Sequence, residues 1–326
     1  MDETLPNPVA LLPNPVALLP DPVALLARAS VLVIGDAMLD RYVHGTIGRT
    51  SPEAPVPVLT EDRELALPGG AANVVRHLTG LGAAVAFIAV VGDDPFGSDL
   101  TGLVGGQPNV EPWLLVEGGR TTTVKTRYLA AGRHLLRADR EQTDPIPERL
   151  AESVLRIARD AMAATSLTVL SDYGKGVLAA QLPARLIAAA REAARPVVAA
   201  PPRGASAAVL AGYAGADAVL VCTADPTADP VAAATTLRTA HGFGMVLLGD
   251  PTGLTLVDGT GSWTAPFPAA AQSVPSDAVL ACLAAALAVK LAPELALRLA
   301  VAGATAVEGA GAAACVRPDT LRAALG

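Results

Sequence analysis

From Val31 onward, the chain alternates short apolar runs with alanine-rich stretches of helical periodicity. The apolar runs are predicted as buried strands at 31–34, 84–91, 166–170, 196–199, 218–222 and 245–248. The stretches between and after them are predicted as helices at 71–81, 94–104, 147–163, 181–194, 230–241, 277–291 and 293–307. This alternation predicts an α/β fold, in which a mostly parallel sheet carries helices on both faces.

Parallel strands end at one edge of their sheet, and ligands of such folds bind in the loops beyond that edge. The loops that follow the predicted strands are therefore the first places to look for a site. Two segments, 41–68 and 120–140, do not fit the alternation, since they carry Arg, Tyr, Thr and Val in extended patterns. They predict a small β lid over the strand ends.

Composition excludes several classes of partner. Of the 326 residues, 24 are Lys or Arg and 31 are Asp or Glu, for a net charge of −7, so no basic excess exists to bind nucleic acid. The longest apolar run, 278–289, is shorter than the roughly 20 residues that span a bilayer, so no membrane partner is expected. Cys222, Cys282 and Cys315 are far apart, without a CxxC pair, which favours a reduced, cytoplasmic location.

The first residues form a repeat. Leu-Pro-Asn-Pro-Val-Ala-Leu occurs at 5–11 and 12–18, and with Asp for Asn at 19–25. Two prolines in each copy break any continuous helix, so 1–20 is predicted as a flexible extension, and its acidic start does not resemble a signal peptide. In the last copy, Asp21 is predicted to cap a short helix that begins at Pro22 and runs to about Ser30.

Two motifs carry candidate chemistry. Asp36 and Asp40 follow the first strand, and their carboxylates are suited to accept hydrogen bonds from the hydroxyls of a polyol. An equal alternative is that Asp36 caps a turn and that Asp40 is exposed to solvent. Gly69 and Gly70 open a helix that leads to Asn73, where backbone amides favour anions or hydroxyl oxygens. A glycine-rich turn that binds nothing explains that motif equally well.

These motifs are part of a wider resemblance. The stretches 33–42, 49–58, 68–73, 122–127, 134–139 and 171–176 closely resemble those of the ribokinase-like (PfkB) sugar kinases, and most of all the D-glycero-β-D-manno-heptose 7-phosphate kinases. The resemblance begins near residue 28 and is dense to residue 178. It implies a Pro-rich extension with a short helix at 1–27, one kinase domain of ribokinase-like fold at 28–326, and a homodimer that forms through the β lid.

The resemblance implies a kinase that uses ATP and Mg²⁺ and transfers a phosphoryl group to a hydroxyl of a sugar phosphate. The implied sugar phosphate is a heptose 7-phosphate, since the motifs are most similar to those of the heptose 7-phosphate kinases. Asp277 aligns with the general base. The implied substrate-binding residues are Asp36, Asp40, Glu53, Gly69, Gly70, Asn73, Lys125, Arg127, Asp172 and Lys175, with Arg133 and Arg137 as further candidates for the substrate phosphate. The implied cofactor-binding residues are Gly249, Asp250, Gly253 and Ser276.

The second half departs from the family pattern. Where the family has Asp-x-x-Gly-Ala-Gly-Asp, this chain reads Ala-Gln-Ser-Val-Pro-Ser-Asp at 271–277, and Pro275 has no N–H to give a phosphate. The family's Asn-x-x-Glu element, which is associated with magnesium, is not visible at 221–226, so the metal ligands are unknown. Asp225 or Asp229 is a candidate to take its place. The alternative function is therefore a pseudokinase that binds a sugar phosphate without efficient ATP turnover, or a protein with other sugar-phosphate chemistry. For Asp277 itself, the alternative is that its carboxylate caps a helix.

Overall fold

Strand β1 (Ser30–Gly35) shows how the sequence builds the central layer of the molecule. Its side chains alternate between two buried clusters, with Val31 and Val33 in one and Leu32 and Ile34 in the other. Because both faces of the strand are covered, its sequence is a continuous apolar run rather than an alternation with polar residues.

The computed structural model describes residues 21–267 and 274–325. The strands after β1 are β2 (Ala37–Thr50), β3 (Pro57–Gly70), β4 (Ala84–Gly92), β5 (Val110–Glu117), β6 (Val124–Ala130), β7 (Arg133–Arg140), β8 (Leu167–Ser171), β9 (Val197–Ala200), β10 (Ala218–Cys222), β11 (Met245–Asp250), β12 (Gly253–Val257) and β13 (Ser262–Pro266). The helices are α1 (Pro22–Leu26), α2 (Ala71–Gly80), α3 (Pro95–Gly105), α4 (Glu148–Ala164), α5 (Leu182–Glu192), α6 (Ala207–Ala211), α7 (Pro230–His241), α8 (Ser276–Ala288), α9 (Pro293–Val307) and α10 (Pro318–Leu325). The repeats within 1–20 and the predicted catalytic stretch 271–273 lie outside the described residues.

Within the described chain, the central sheet has nine strands in the order β13-β12-β11-β10-β9-β8-β1-β4-β5. Neighbours from β5 to β11 are parallel, whereas β12 and β13 are antiparallel. One buried cluster packs α2, α8 and α9 on one face, and the other packs α4 and α5 on the opposite face. The predicted α/β fold, with a mostly parallel sheet covered on both faces, is confirmed.

The second sheet, which we call the lid, has the described strands in the order β3-β2-β6-β7. It includes the segments that were predicted as extended, but β2 and β3 reach back to the central sheet, where Ala37 pairs with Gly70. β2 also pairs in parallel with β6. This pairing brings residues of β2, β6 and α2 to the carboxyl end of β1.

Some elements differ from the sequence prediction. β5, β13, α6 and α10 were not predicted, and β5 in particular is a partly exposed strand at the edge of the sheet, where Glu111 and Pro112 interrupt its apolar run. α1 ends at Leu26 rather than near Ser30, because Ser30 already begins β1. The predicted cap is confirmed, since Asp21 accepts a hydrogen bond from the Val23 amide at 3.0 Å. Among the described helices, none is long and apolar enough to cross a bilayer.

Candidate active site

The cleft begins where β1 and α2 meet the lid. Asp40 on β2 pairs with Arg127 on β6, whose guanidinium lies 2.5 Å from Oδ1. A Cβ at Gly69 would lie 2.0 Å from the other oxygen of Asp40, so only glycine leaves room for that carboxylate. Gly70 has φ of +59°, a conformation that favours glycine, and it turns the chain into the helix that carries Asn73. The double glycine therefore positions both polar side chains.

Asp36 makes the contacts of a turn cap, which is one of the two roles predicted for it. Its side chain is buried, and its two carboxylate oxygens accept hydrogen bonds from the amides of Tyr173 at 2.8 Å, Lys175 at 3.0 Å and Val177 at 3.0 Å. The carboxylate thus stabilises the loop that follows β8, and its contact with sugar hydroxyls stays a prediction.

Asp277 lies in the first turn of α8, where donors from three segments converge on it. Asn73 Nδ2 donates to Oδ2 at 2.8 Å, the Tyr173 hydroxyl donates to Oδ1, and Ser276 Oγ lies 3.3 Å from Oδ1. Burial raises the pKa of the Asp277 carboxyl, and the hydrogen bonds from Tyr173 and Asn73 oppose that rise because they stabilise the charged form. The site therefore has a desolvated carboxylate with its oxygens oriented by neighbouring donors.

The orientation of Asn73 is itself fixed. Arg76 Nη1 donates to Asn73 Oδ1 at 2.7 Å, and Arg76 Nη2 donates to the Ala313 carbonyl at 3.1 Å. Since the amide oxygen of Asn73 faces the guanidinium, its nitrogen faces Asp277.

The two predicted lysines, Lys125 on strand β6 of the lid and Lys175 in the loop after β8, lie near one another. Lys125 Nζ is 3.0 Å from Asp139 and 3.5 Å from Glu141, and Lys175 Nζ is 2.8 Å from the same Glu141 oxygen. Both ammonium groups are largely buried, with side chains 17% and 16% exposed. The structure therefore brings two cations together across Glu141, a residue that the sequence analysis did not select.

Asp172 supports the same loop as Asp36. Its Oδ1 accepts from the Gly174 amide at 2.7 Å, and its Oδ2 accepts from the Tyr213 hydroxyl. Burial raises the pKa of Asp172 to about 7, and the nearby charge of Asp36 adds to the rise. Asp172 is thus a buried carboxyl group with internal partners.

Three predicted residues lie outside this cluster or at its margin. Glu53 is exposed in the loop between β2 and β3, and in the described chain its side chain has no hydrogen bond to the residues around Asp277. Arg133 is exposed at the start of β7. Arg137 pairs with Asp139 at 2.9 Å, so it lies beside the lysine cluster.

On the predicted nucleotide side, two residues maintain the turn between β11 and β12. Asp250 is buried and accepts from the Thr252 amide at 2.8 Å, and a Cβ at Gly253 would lie 2.5 Å from the Ala265 carbonyl. These contacts give Asp250 and Gly253 structural roles in the turn, and their contact with nucleotide stays a prediction. Gly249 is buried at the end of β11, where a Cβ would lie 3.3 Å from the Val274 side chain.

The start of α8 offers few free amides. Pro275 has no N–H, and the Ser276 amide donates to the Val274 carbonyl at 2.8 Å. Helix starts bind phosphate through amides that have no partner within the helix. Positions 275 and 276 in the described part of this segment therefore offer no free amide to a phosphate.

A cavity of about 180 Å³ lies beside Asp277, at the carboxyl ends of β8, β9 and β10. Tyr173, Arg203 and Cys222 are part of its lining. A second cavity of about 380 Å³ shares Arg203 and Cys222 with the first. The Arg203 guanidinium is 3.4 Å from the Val274 carbonyl, so a cation lies beside the start of α8. We call the two cavities together the recess; its lining has one cation, Arg203, and two carboxyl groups, Asp172 and Asp277.

No group of three or more His, Cys, Asp or Glu residues in the described ranges is arranged to hold a metal ion. Asp229 caps α7 by accepting from the Ala232 amide at 2.9 Å, so its carboxylate has a structural role. Asp225 lies in an exposed loop, where its carbonyl accepts from Thr223 Oγ1 at 2.9 Å. The described residues therefore do not assemble a protein cage for Mg²⁺.

Sequence reasoning did not select Tyr173, Tyr213, Glu141 or Arg203. The sequence does indicate that Tyr173 lies near the site, because it directly follows Asp172 at the carboxyl end of a predicted strand, within the segment 171–176. Tyr213 and Glu141 had none, since they lie far along the chain from the residues they contact.

Comparison with known proteins gives a consistent result. Residues 28–223 match the pfkB family of carbohydrate kinases, and this match ends before α8. The bifunctional protein HldE of Acidiphilium cryptum is 64% identical over 193 residues, which cover 59% of this chain and 39% of that protein. HldE of Paramagnetospirillum magneticum is 43% identical over 274 residues, which cover 79% of this chain and 55% of that protein. The chain therefore spans about half the length, or less, of these curated relatives.

Solved structures show the same fold. Phosphofructokinase-2 from Escherichia coli, in its tetrameric inhibited form, superposes with a TM-score of 0.71 at 18% identity, over 91% of this chain and 98% of that one. Ribokinase from Arabidopsis thaliana, solved with ribose and ATP, gives a TM-score of 0.66 at 17% identity, over 91% and 98% of the two chains.

Proposed function

Because this chain belongs to the pfkB family of carbohydrate kinases, we propose that it transfers the γ-phosphoryl group of ATP to a hydroxyl of a sugar phosphate, with Asp277 as the general base. A heptose 7-phosphate is the proposed acceptor, since the motifs of this chain resemble those of heptose 7-phosphate kinases. The observation that carries the proposal is the environment of Asp277. Its carboxylate is oriented by Asn73, and it lines both the recess that contains Arg203 and a cavity that contains Asn73.

The sugar half of the site supports this assignment. In the proposal, Asp40 and Asn73 bind sugar hydroxyls, because a carboxylate and an amide offer the acceptors and donors that hydroxyls need. Lys125, Lys175 and Arg127 bind the phosphate that the acceptor already carries. Glu141 and Asp139 neutralise the two lysines before substrate binds, and the substrate phosphate takes over part of that role.

The proposed chemistry requires only one proton transfer to this chain. As the acceptor oxygen attacks the γ-phosphorus, its proton passes to the Asp277 carboxylate, and the bond from the γ-phosphorus to the β-phosphate oxygen breaks, so that ADP leaves. Arg203 lies where it can stabilise negative charge beside the start of α8. Magnesium would supply charge neutralisation at the nucleotide phosphates, and these phosphates would be its main ligands because the described residues form no dedicated cage.

A pseudokinase that binds a sugar phosphate is the second candidate, and one observation favours it. The start of α8 has lost the amide of Pro275, and the Ser276 amide is engaged by Val274. Loss of one such donor costs an enzyme about 3 kcal/mol of transition-state stabilisation, or a hundredfold or more in rate.

A coupled assay for ADP release, run with a panel of sugar phosphates, tests the two candidates. The kinase predicts substrate-dependent ADP that falls by about 10²- to 10⁴-fold in Asp277→Asn, as expected for loss of a general base. Asp160→Asn, a change of the same kind on the exposed face of α4, serves as the control. No turnover by the unmodified protein, together with calorimetric binding of the sugar phosphate, supports the pseudokinase instead.

We also propose a homodimer that forms through the lid. Leu135 and Leu136 on β7 are 45% and 60% exposed, which leaves an apolar patch on the lid surface. Light scattering at micromolar concentration should give the mass of a dimer, and a monomeric mass would contradict this part of the proposal.

A further inference from the structure

The Tyr173 hydroxyl occupies a position on Asp277 that the proposed reaction needs. It donates to Asp277 Oδ1, while Asn73 donates to Oδ2 and Ser276 Oγ lies 3.3 Å from Oδ1. A general base must accept a hydrogen bond from the hydroxyl it deprotonates. In the ligand-free protein, the strongest donor at Oδ1 is therefore a hydroxyl that belongs to the protein itself.

The backbone of Tyr173 is fixed, so only its side chain can leave. The Tyr173 amide donates to Asp36 at 2.8 Å, and the Lys175 amide donates to the same oxygen at 3.0 Å. Release of Asp277 thus requires rotation of the phenol about its side-chain bonds rather than rearrangement of the loop. A phenol also matches a sugar hydroxyl chemically, since each presents one O–H donor on an oxygen that can accept.

We propose that the Tyr173 hydroxyl takes the place of the acceptor hydroxyl on Asp277 in the ligand-free protein, and that the sugar hydroxyl to be phosphorylated displaces it. This inference rests on the proposed function. It makes Tyr173 a positioning residue that keeps the base oriented until substrate arrives, and it makes the phenol a competitor of the substrate.

Asp277 has other charged or titratable neighbours, and the test must separate them from Tyr173. Besides Tyr173, the groups that face it or line its cavities are Asp40 from β2, His77 from α2, Asp172 from the loop after β8, Arg203 from the loop after β9, and Cys222 from β10. Loss of the phenol removes one donor that favours the charged carboxylate, and it leaves these other groups in place.

Tyr173→Phe is the test, because it removes the hydroxyl and keeps the ring. Calorimetry with a heptose 7-phosphate, without nucleotide, should show binding that is about two- to tenfold tighter, the worth of one net hydrogen bond. In the coupled assay, kcat/KM should rise by a similar factor with kcat within about twofold. The acid limb of the kcat/KM profile should move to higher pH, and that of kcat should stay, because substrate replaces the phenol in the complex.

Tyr213→Phe is the matched control, since it removes a phenol that donates to Asp172 instead of Asp277. It should leave the acid limb of kcat/KM unmoved. Tyr173→Leu, which removes the ring as well, should tighten binding in the same direction as Tyr173→Phe, and urea unfolding checks that each variant folds.

Each result has a definite meaning. The inference is overturned if Tyr173→Phe binds the sugar phosphate no more tightly than the unmodified protein, or if its kcat falls by more than tenfold. It is also overturned if Tyr213→Phe moves the acid limb of the kcat/KM profile as far as Tyr173→Phe does. Tighter binding by Tyr173→Phe with no turnover by any variant supports the displacement and counts against the kinase function. Absence of binding to both the unmodified protein and Tyr173→Phe refutes the proposed substrate, and it refutes the displacement with it.

Discussion

Asp36→Ala separates the structural role of this carboxylate from the sugar-binding role that its motif predicts. The substitution leaves the amides of Tyr173, Lys175 and Val177 without their acceptor; the hydrogen bond of Val177 is buried, and those of Tyr173 and Lys175 are partly buried. An unsatisfied buried donor costs about 1–3 kcal/mol, so the three together cost about 3 kcal/mol when each is counted near the lower value. We therefore expect the free energy of unfolding to fall by about 3 kcal/mol or more, measured by urea denaturation.

Two related variants sharpen this prediction. Asp36→Asn keeps one acceptor oxygen but places an amide NH₂ against a backbone N–H, so its loss of stability should be intermediate. Asp40→Ala removes a carboxylate from the pair with Arg127, whose side chains are both 19% exposed, and should cost less stability than Asp36→Ala because water can still reach the guanidinium. If Asp36→Ala unfolds within 1 kcal/mol of the unmodified protein while losing sugar-phosphate binding, the structural assignment of Asp36 is refuted.

Three further predictions concern the same site. Gly69→Ala should weaken sugar-phosphate binding by about tenfold in calorimetry, because its Cβ would lie 2.0 Å from an Asp40 oxygen, whereas Gly102→Ala, with open space around it, should not. The contribution of Asp172 to the free energy of unfolding should decrease as the pH rises from 4 to 8, since its folded pKa is raised to about 7 and the folded state holds the extra proton below that value. Buried His77, whose pKa is lowered to about 3, contributes the opposite slope below about pH 6.5, so the test is the difference between the unmodified protein and Asp172→Asn in urea unfolding at each pH. A difference that does not change with pH would contradict the assignment. Pro275→Ala should raise ADP release by about a hundredfold if the missing amide limits turnover, and an unchanged rate would rule out that explanation.

The sequence predicted the layers of the fold well, because burial on both faces of a parallel sheet leaves continuous apolar runs. The strand at 218–222 and the helices at 230–241 and 293–307 have the bounds that were predicted for them. β5 was missed because it is a partly exposed edge strand in which Glu111 and Pro112 interrupt the apolar run.

The candidate site was predicted unevenly. Asp40, Gly69 and Asn73 follow strand ends or open a helix, and the structure brings them to one place, because local motifs of this kind fix where a side chain leaves the sheet. Asp36, Asp250 and Asp229 come from equally suggestive motifs, yet each carboxylate is engaged by backbone amides.

By itself, the sequence determined the order of most strands and helices, the edge of the sheet where a site was predicted and the polar residues that reach that edge. Only the tertiary structure decided which partner each polar group takes. Tyr173 meets Asp277 across 104 residues of chain, and Glu141 lies between Lys125 and Lys175. Apolar periodicity reports whether a position is buried, whereas a hydrogen bond depends on distances of about 3 Å that arise when separate segments pack together.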